Sequence, residues 1–196
     1  MVRRLLILAL VVACMTGSVS AELVGYWALD GDATDLSGHG NHGTIHGNVA
    51  PTTDRFGNPA GAMSFAGGSG DNIDVGNAPE FNLTGPMTVT AWVYLDSTSP
   101  VHNRRNGRII AKMAGGGKRS WSCGIEKSVA GVPLPATIQI ASSGTTVVGL
   151  SDDDPLPLDR WVHYAGVFIP GPSLAIYLNG DLAEIKTTGI PTSQYS

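Results

Sequence analysis

Charge is scarce in this sequence: only 14% of its 196 residues are charged, against 42% hydrophobic. That balance excludes a disordered polyelectrolyte and a highly charged coiled coil. Cysteine is scarcer still, with Cys14 and Cys123 alone, so a disulfide framework cannot be the basis of the fold. No run of apolar residues reaches the roughly 20 that a membrane-spanning helix needs. Positive charge is not in excess either. The formal charge of -4 and the pI near 5.6 give no overall electrostatic reason to hold a polyanion, so nucleic acid is not an expected partner.

Glycine and proline are what the chain has in quantity, 26 and 12 residues respectively. They belong to a turn-rich packed globule, and 196 residues suffice for one domain with a real core. The first segment stands apart. Arg3 and Arg4 precede an apolar run from Leu5 to Met15, followed by small and polar residues ending Val19-Ser20-Ala21. This is the pattern of a secretory signal occupying residues 1–21, with the mature chain beginning at Glu22. Loss of the two arginines takes the formal charge from -4 to -6. A second reading of the segment is that Val11-Val12-Ala13-Cys14 resembles a bacterial lipobox, with Cys14 lipidated as a membrane anchor. Under either reading Cys123 has no intramolecular partner and is expected to be a small buried hydrophobe.

Along the mature chain the apolar residues recur with a period of two, in short segments separated by Gly, Pro, Asn, Asp and Ser. Strands are expected at Leu23–Leu29, Gly43–Val49, Ala62–Phe65, Asn72–Val75, Met87–Leu95, Arg108–Met113, Trp121–Glu126, Ala136–Ala141, Thr145–Leu150, Trp161–Ile169, Ser173–Leu178 and Asp181–Lys186. So many short strands predict an all-β sandwich or jelly roll. Asn179-Gly180 supplies the two positive φ angles of a type I′ hairpin turn. Within Met87–Leu95, alternation puts Val89, Ala91, Val93 and Leu95 on one face and Thr88, Thr90, Trp92 and Tyr94 on the other. The first face suits a core. The second suits a sugar, since rings stack on pyranose C–H surfaces and hydroxyls fix orientation, although a second apolar layer under a loop would show the same pattern.

Two blocks near the N-terminus, Gly25-Tyr26-Trp27-Ala28-Leu29-Asp30 and Asp35-Leu36-Ser37-Gly38-His39-Gly40-Asn41-His42-Gly43, are followed by three more in order. These are Ala62-Met63-Ser64-Phe65 before Ile73-Asp74-Val75, Met87-Thr88-Val89-Thr90-Ala91-Trp92-Val93, and Trp161-Val162-His163-Tyr164-Ala165-Gly166-Val167 leading to Ile176-Tyr177-Leu178-Asn179-Gly180. Together they resemble laminin-G-like jelly-roll domains of the concanavalin A-like type. The resemblance implies a two-sheet antiparallel sandwich over residues 22–196, commonly an exported carbohydrate-binding or adhesive module. It also implies closing strands after the Asn179-Gly180 hairpin that this sequence lacks, hence a C-terminally incomplete domain able to associate through an open sheet edge.

Asp30, Asp32, Asp35 and Asn41 offer hard oxygen ligands on a Gly-rich loop, suited to Ca²⁺ without matching an EF-hand. The resemblance points to a structural calcium at this loop, with Asp35 and Asn41 matching and Asp30 adjoining. The alternative is a turn whose side chains bond its own backbone. His39, His42 and His46 lack a completing Cys or Glu for zinc and are expected in solvent, while His163 is expected at a core or edge position. Arg104, Arg105, Arg108, Lys112, Lys118 and Arg119 form a local positive field, suited to an acidic polysaccharide or to a solvated strand edge. Asp152-Asp153-Asp154 is expected in a solvated turn, and Asn82-Leu83-Thr84 is a glycosylation sequon if the source is eukaryotic.

Sandwiches of this architecture also support glucanases, which need two carboxylates at a defined separation. The four glutamates, Glu22, Glu80, Glu126 and Glu184, form no Glu-x-Asp-x-x-Glu pattern. Nor is there a Gly-x-Ser-x-Gly elbow, a phosphate-cradling loop or a dinucleotide fingerprint. The expectation is therefore an exported, non-catalytic carbohydrate-binding module. A surface domain that binds protein is the second reading, and a degenerate glycoside hydrolase the third.

Overall fold

A computed structural model describes residues 21–98, 107–113, 119–126, 128–129, 132–143 and 146–195. The signal segment with Cys14, and Arg104, Arg105 and Lys118 of the basic stretch, lie outside the described residues. The elements are strands β1 Thr44–His46, β2 Val49–Thr52, β3 Ala62–Phe65 and β4 Asn72–Asp74, then a 3-10 turn at Pro79–Phe81. They continue with β5 Met87–Tyr94, β6 Gly107–Met113, β7 Arg119–Ile125, β8 Ser128–Val129, β9 Val132–Pro133, β10 Pro135–Ala141 and β11 Val147–Pro155. Strands β12 Trp161–Ile169, β13 Ser173–Leu178 and β14 Asp181–Lys186 complete the chain.

Two four-stranded antiparallel sheets, ordered β11-β10-β7-β6 and β14-β13-β12-β5, make the sandwich. Strand β12 shows why they pack. Val162, Tyr164, Gly166 and Phe168 are buried, while Trp161, His163, Ala165 and Val167 between them are only partly covered. Opposite them, Trp121, Cys123 and Ile125 register with Ile140, Ile138 and Ala136, forming the inner face of the other sheet. Burying a side chain such as Ile138, Ile140, Phe168 or Leu174 contributes roughly 1.5–3 kcal/mol each. Tyr164 ties the layers together: its hydroxyl crosses the fully buried core to donate to the Thr137 carbonyl at 2.8 Å. Burial pushes the neighbouring Cys123 thiol up to about 12, so it behaves as the expected hydrophobe and not as a nucleophile.

The N-terminal third forms a separate layer of two small antiparallel ladders, β1 with β4 and β2 with β3. Two expected strands change here. Leu23–Leu29 is no strand, because Leu29 adopts a left-handed φ of 60° and only Trp27 forms a bridge, with Asp35. Gly43–Val49 divides into β1 and β2, because Gly47 turns the chain with a φ of 69°. Asp152-Asp153-Asp154, expected as a turn, instead lies within β11. The three aspartates occupy an irregularity of the ladder between the pairs Thr137↔Ser151 and Pro135↔Pro155. The Asp154 amide donates to the Asp152 carboxylate at 3.3 Å, so turn-like bonding persists inside the strand. The C-terminal hairpin forms as expected, with φ of 53° at Asn179 and 93° at Gly180.

Strand β5 pairs with β12 on one side, and among the described residues its other edge carries no strand. An open space of about 3200 Å³ wraps that edge, lined by the N-terminal layer and by side chains on both faces of β5.

Candidate functional site

Strict alternation in β5 places Met87, Val89, Ala91 and Val93 toward the core and Thr88, Thr90, Trp92 and Tyr94 outward. Trp92 and Tyr94 are 44% and 45% exposed, far more than a covered apolar layer would be. The antiparallel register sets Trp92 opposite His163 and Tyr94 opposite Trp161. Each pair meets ring to ring, at 5.2 Å and 57° for Trp92 with His163 and at 5.6 Å and 59° for Tyr94 with Trp161. Tilted contacts of this kind orient both rings before any ligand arrives. The result is an aromatic strip at one end of the sheet's outer face, with the Thr88 and Thr90 hydroxyls exposed farther along the same strand.

The loop between β2 and β3 contributes a residue that the sequence did not single out. The Arg55 guanidinium lies over the Phe56 ring at 4.1 Å and over the Trp92 ring at 4.6 Å. Its sequence signal was slight, an Arg-Phe pair in a turn-rich stretch 37 residues from Trp92. Asp54 builds the loop. Its Oδ1 accepts from the Phe56 and Asn58 amides, both at 2.8 Å, and its Oδ2 accepts from Asn58 Nδ2 at 2.9 Å. Desolvation would raise the Asp54 carboxyl, but the Asn58 and Phe56 hydrogen bonds and the nearby Arg55 charge hold it below its ordinary value.

The expected calcium residues form a different kind of structure. Asp35 is only 5% exposed and accepts four hydrogen bonds. Oδ1 receives the Tyr26 and Ser37 amides at 3.0 and 2.9 Å, and Oδ2 receives the Ser37 hydroxyl at 2.8 Å and the Asn41 amide at 2.9 Å. Burial pushes the carboxyl up, but these donors outweigh it and hold Asp35 well below the usual carboxylate range. The Asn41 side-chain Nδ2 donates to Glu80 Oε1 at 2.8 Å, and its backbone carbonyl accepts from the Trp27 indole at 2.9 Å. His42 Nδ1 accepts the Asp35 amide at 3.0 Å, and Asp30 is exposed. Among the described residues no group of three or more His, Cys, Asp or Glu side chains converges as a metal site would. As arranged, Asp35 and Asn41 form a hydrogen-bonded turn that anchors Tyr26 and Trp27, while Asp30 is exposed.

The basic stretch is likewise divided. Arg108 and Lys112 both stand on β6, and the Lys112 ammonium donates to Asn82 Oδ1. Burial draws the Lys112 ammonium below its ordinary value. On the outer face of the β10 sheet, Glu126, Thr137, Gln139, Gly149 and Ser151 line a groove of about 230 Å³, in which Gln139 Nε2 donates to Glu126 Oε1. His39, His42 and His46 are exposed, as expected. No described helix is long and apolar enough to cross a membrane.

The sequence matches the family described as Concanavalin A-like lectin/glucanases superfamily over residues 67–196. No curated protein sequence matches the chain. Among solved structures, it is similar to the binding domain of Paraclostridial Mosquitocidal Protein 1, with a TM-score of 0.60 and 12% identity over 83% of this chain and 39% of that one. It is also similar to a type C botulinum neurotoxin, which depends on interaction with two ganglioside molecules to get into cells. There the TM-score is 0.55 at 14% identity, over 84% of this chain and 40% of that one. A third likeness is to the binding domain of botulinum neurotoxin serotype D/C, with a TM-score of 0.53 and 16% identity, covering 85% and 41%. The chain thus spans about two fifths of the length of these structures, and at such identities the likeness is one of fold.

Proposed function

Because the chain belongs to the concanavalin A-like lectin/glucanases superfamily, we propose that it is an exported, non-catalytic carbohydrate-binding module whose sugar platform is Trp92 and Tyr94. The observation that carries this reading is the pair of half-exposed rings on the outer face of β5, each set at a fixed tilt by a cross-strand aromatic partner. Flat, pre-oriented rings stack on the C–H face of a pyranose at little entropic cost, and the Thr88 and Thr90 hydroxyls extend hydrogen bonding along the strand. Export is supported by the Arg3-Arg4 and Leu5–Met15 pattern of the leader. Binding without turnover is supported by the absence of a paired-carboxylate pattern in the sequence and by the likeness to toxin binding domains. The platform is tested by glycan-array binding of wild type, Trp92→Ala and Tyr94→Ala. Loss of about tenfold or more in affinity, roughly 1.4 kcal/mol, is expected for Trp92→Ala. Unaltered affinity in both folded variants would remove the platform.

The free edge of β5 favours a second reading, a surface domain that binds protein. An unpaired strand edge beside a large open space accepts a strand from another chain. Binding there would survive Trp92→Ala and would be insensitive to competing sugar.

A further inference from the structure

Resting on the carbohydrate-binding reading, the geometry points to an anionic sugar, carboxylated or sulfated, as the ligand class of this platform, with Arg55 as the group that takes its charge. A guanidinium held against aromatic rings keeps its positive charge and its N–H donors at the edge of the ring surface, where a ligand on the rings meets them. Arg55 is in that state over Phe56 and Trp92. Among the described residues it makes no ion pair, since both His–carboxylate pairs of the structure involve His39. The adjacent Asp54 carboxylate feels the Arg55 charge but forms no ion pair with it, and its oxygens accept instead from the Phe56 and Asn58 amides and from Asn58 Nδ2 of their own loop.

Those same bonds hold the loop in place, supported by Asp54 N to Asn58 O at 3.1 Å and Gly57 N to Asp54 O at 3.2 Å. The cation is therefore pre-positioned on the stacking surface and does not swing in from solvent. A sugar ring on Tyr94 and on the part of Trp92 that Arg55 leaves exposed would carry a ring carboxylate or sulfate ester to the guanidinium, where its planar fork forms paired charge-assisted hydrogen bonds. The net charge of -4, or -6 once the leader with its two arginines is removed, makes the recognition selective: the molecule as a whole repels polyanions, so an anionic sugar is retained only where the local cation and the ring coincide. Selectivity for anionic glycans, which in the sequence was one of two readings of the stretch from Arg104 to Arg119, is thereby assigned to a single arginine on the loop between β2 and β3.

Titration calorimetry with three tetrasaccharides tests this: tetragalacturonate, a chondroitin sulfate tetrasaccharide and neutral cellotetraose, each against wild type, Arg55→Gln, Arg55→Lys and Trp92→Ala. Wild type should prefer at least one anionic probe over cellotetraose, and which anion it prefers identifies the carboxylate or the sulfate as the recognised group. Arg55→Gln should lower affinity for that probe about tenfold and so reduce the preference for the anionic probe over cellotetraose. Arg55→Lys should fall between, because it keeps the charge and loses the fork. Trp92→Ala should weaken all probes that bind. Equal affinity of wild type and Arg55→Gln for the anionic probe overturns the assignment of Arg55, and leaves the platform standing if Trp92→Ala still weakens binding. Failure of every probe to bind wild type, or indifference of all of them to Trp92→Ala, overturns the carbohydrate reading along with it. Arg55 is on an exposed loop, so the melting temperatures of its variants should match wild type and exclude misfolding as the cause.

Discussion

Replacing Asp35 by alanine removes one nearly buried carboxylate and with it the acceptor of four hydrogen bonds, from Tyr26 N, Ser37 N, Ser37 Oγ and Asn41 N. A hydrogen bond to a charged group contributes about 1.5–3 kcal/mol. The donors lie on a surface turn that water reaches once the side chain is gone, so the sum is well below four such bonds, and a loss of about 3 kcal/mol is expected. For a domain of this size that lowers the melting temperature by roughly 6–12 °C, measured by calorimetry near neutral pH. The sign with pH follows from the same contacts. Asp35 is held below its unfolded value of about 3.9, so its contribution is complete above about pH 5 and declines as the pH falls toward the folded value. Asp35→Asn should flatten that acid limb while keeping the side-chain volume. With its oxygens occupied by amides and a hydroxyl, Asp35 gives calcium little to bind, and wild-type protein should melt at the same temperature in calcium and in chelator. A loss under about 1 kcal/mol in Asp35→Ala, or an acid limb equally steep in Asp35→Asn, refutes the reasoning. A calcium-dependent rise in melting temperature that Asp35→Ala blunts would establish the metal site instead.

Three further outcomes follow from other parts of the molecule. Tyr164→Phe should cost about 1–2 kcal/mol by deleting the hydroxyl that bonds Thr137 across the core, and should leave sugar affinity unchanged; a neutral effect on denaturant midpoint would show that the bond contributes nothing. Cys123, fully buried with its thiol pushed up to about 12, should resist thiol reagents until the protein unfolds, and labelling of the native state would contradict its placement. Secreted material should begin at Glu22 by N-terminal sequencing, whereas a lipid-bearing Cys14 at the N-terminus would establish the anchored form.

Strands β3, β12, β13 and β14 were legible to the residue, and β5 to within one; in β5 and β12 the reason is that the apolar period of two coincides with a sheet face that is actually buried. Leu23–Leu29, an apolar run also expected as a strand, is not one. A strand exists only against a partner, and a sequence does not show that Leu29 turns left-handed or that Trp27 meets only Asp35. The site divides in the same way. Thr88, Thr90, Trp92 and Tyr94 could be placed on one outward face because the alternation lies within a single strand. Arg55 could not be joined to them, since its contact with Trp92 depends on how a loop from another layer crosses β5. Asp35 shows the limit most sharply. A carboxylate on a Gly-rich loop looks the same in sequence whether its oxygens face a cation or four hydrogen-bond donors, and the four donors to Asp35 come from Tyr26, Ser37 and Asn41 positions that no sequence spacing announces.

The central claim is that sugar binds on the aromatic face of β5. Among the four tryptophans, it distinguishes the indole of Trp92, half-exposed on that face, from that of Trp121, 5% exposed and inside the core. Titrating an anionic oligosaccharide into isotopically labelled protein and following the indole N–H resonances tests it directly. The account predicts a saturable shift of the Trp92 resonance, a smaller one at neighbouring Trp161, and none at Trp121. Saturable shifts confined to residues around Glu126, Gln139 and Ser151 on the other sheet, with the Trp92 resonance unmoved, would contradict it.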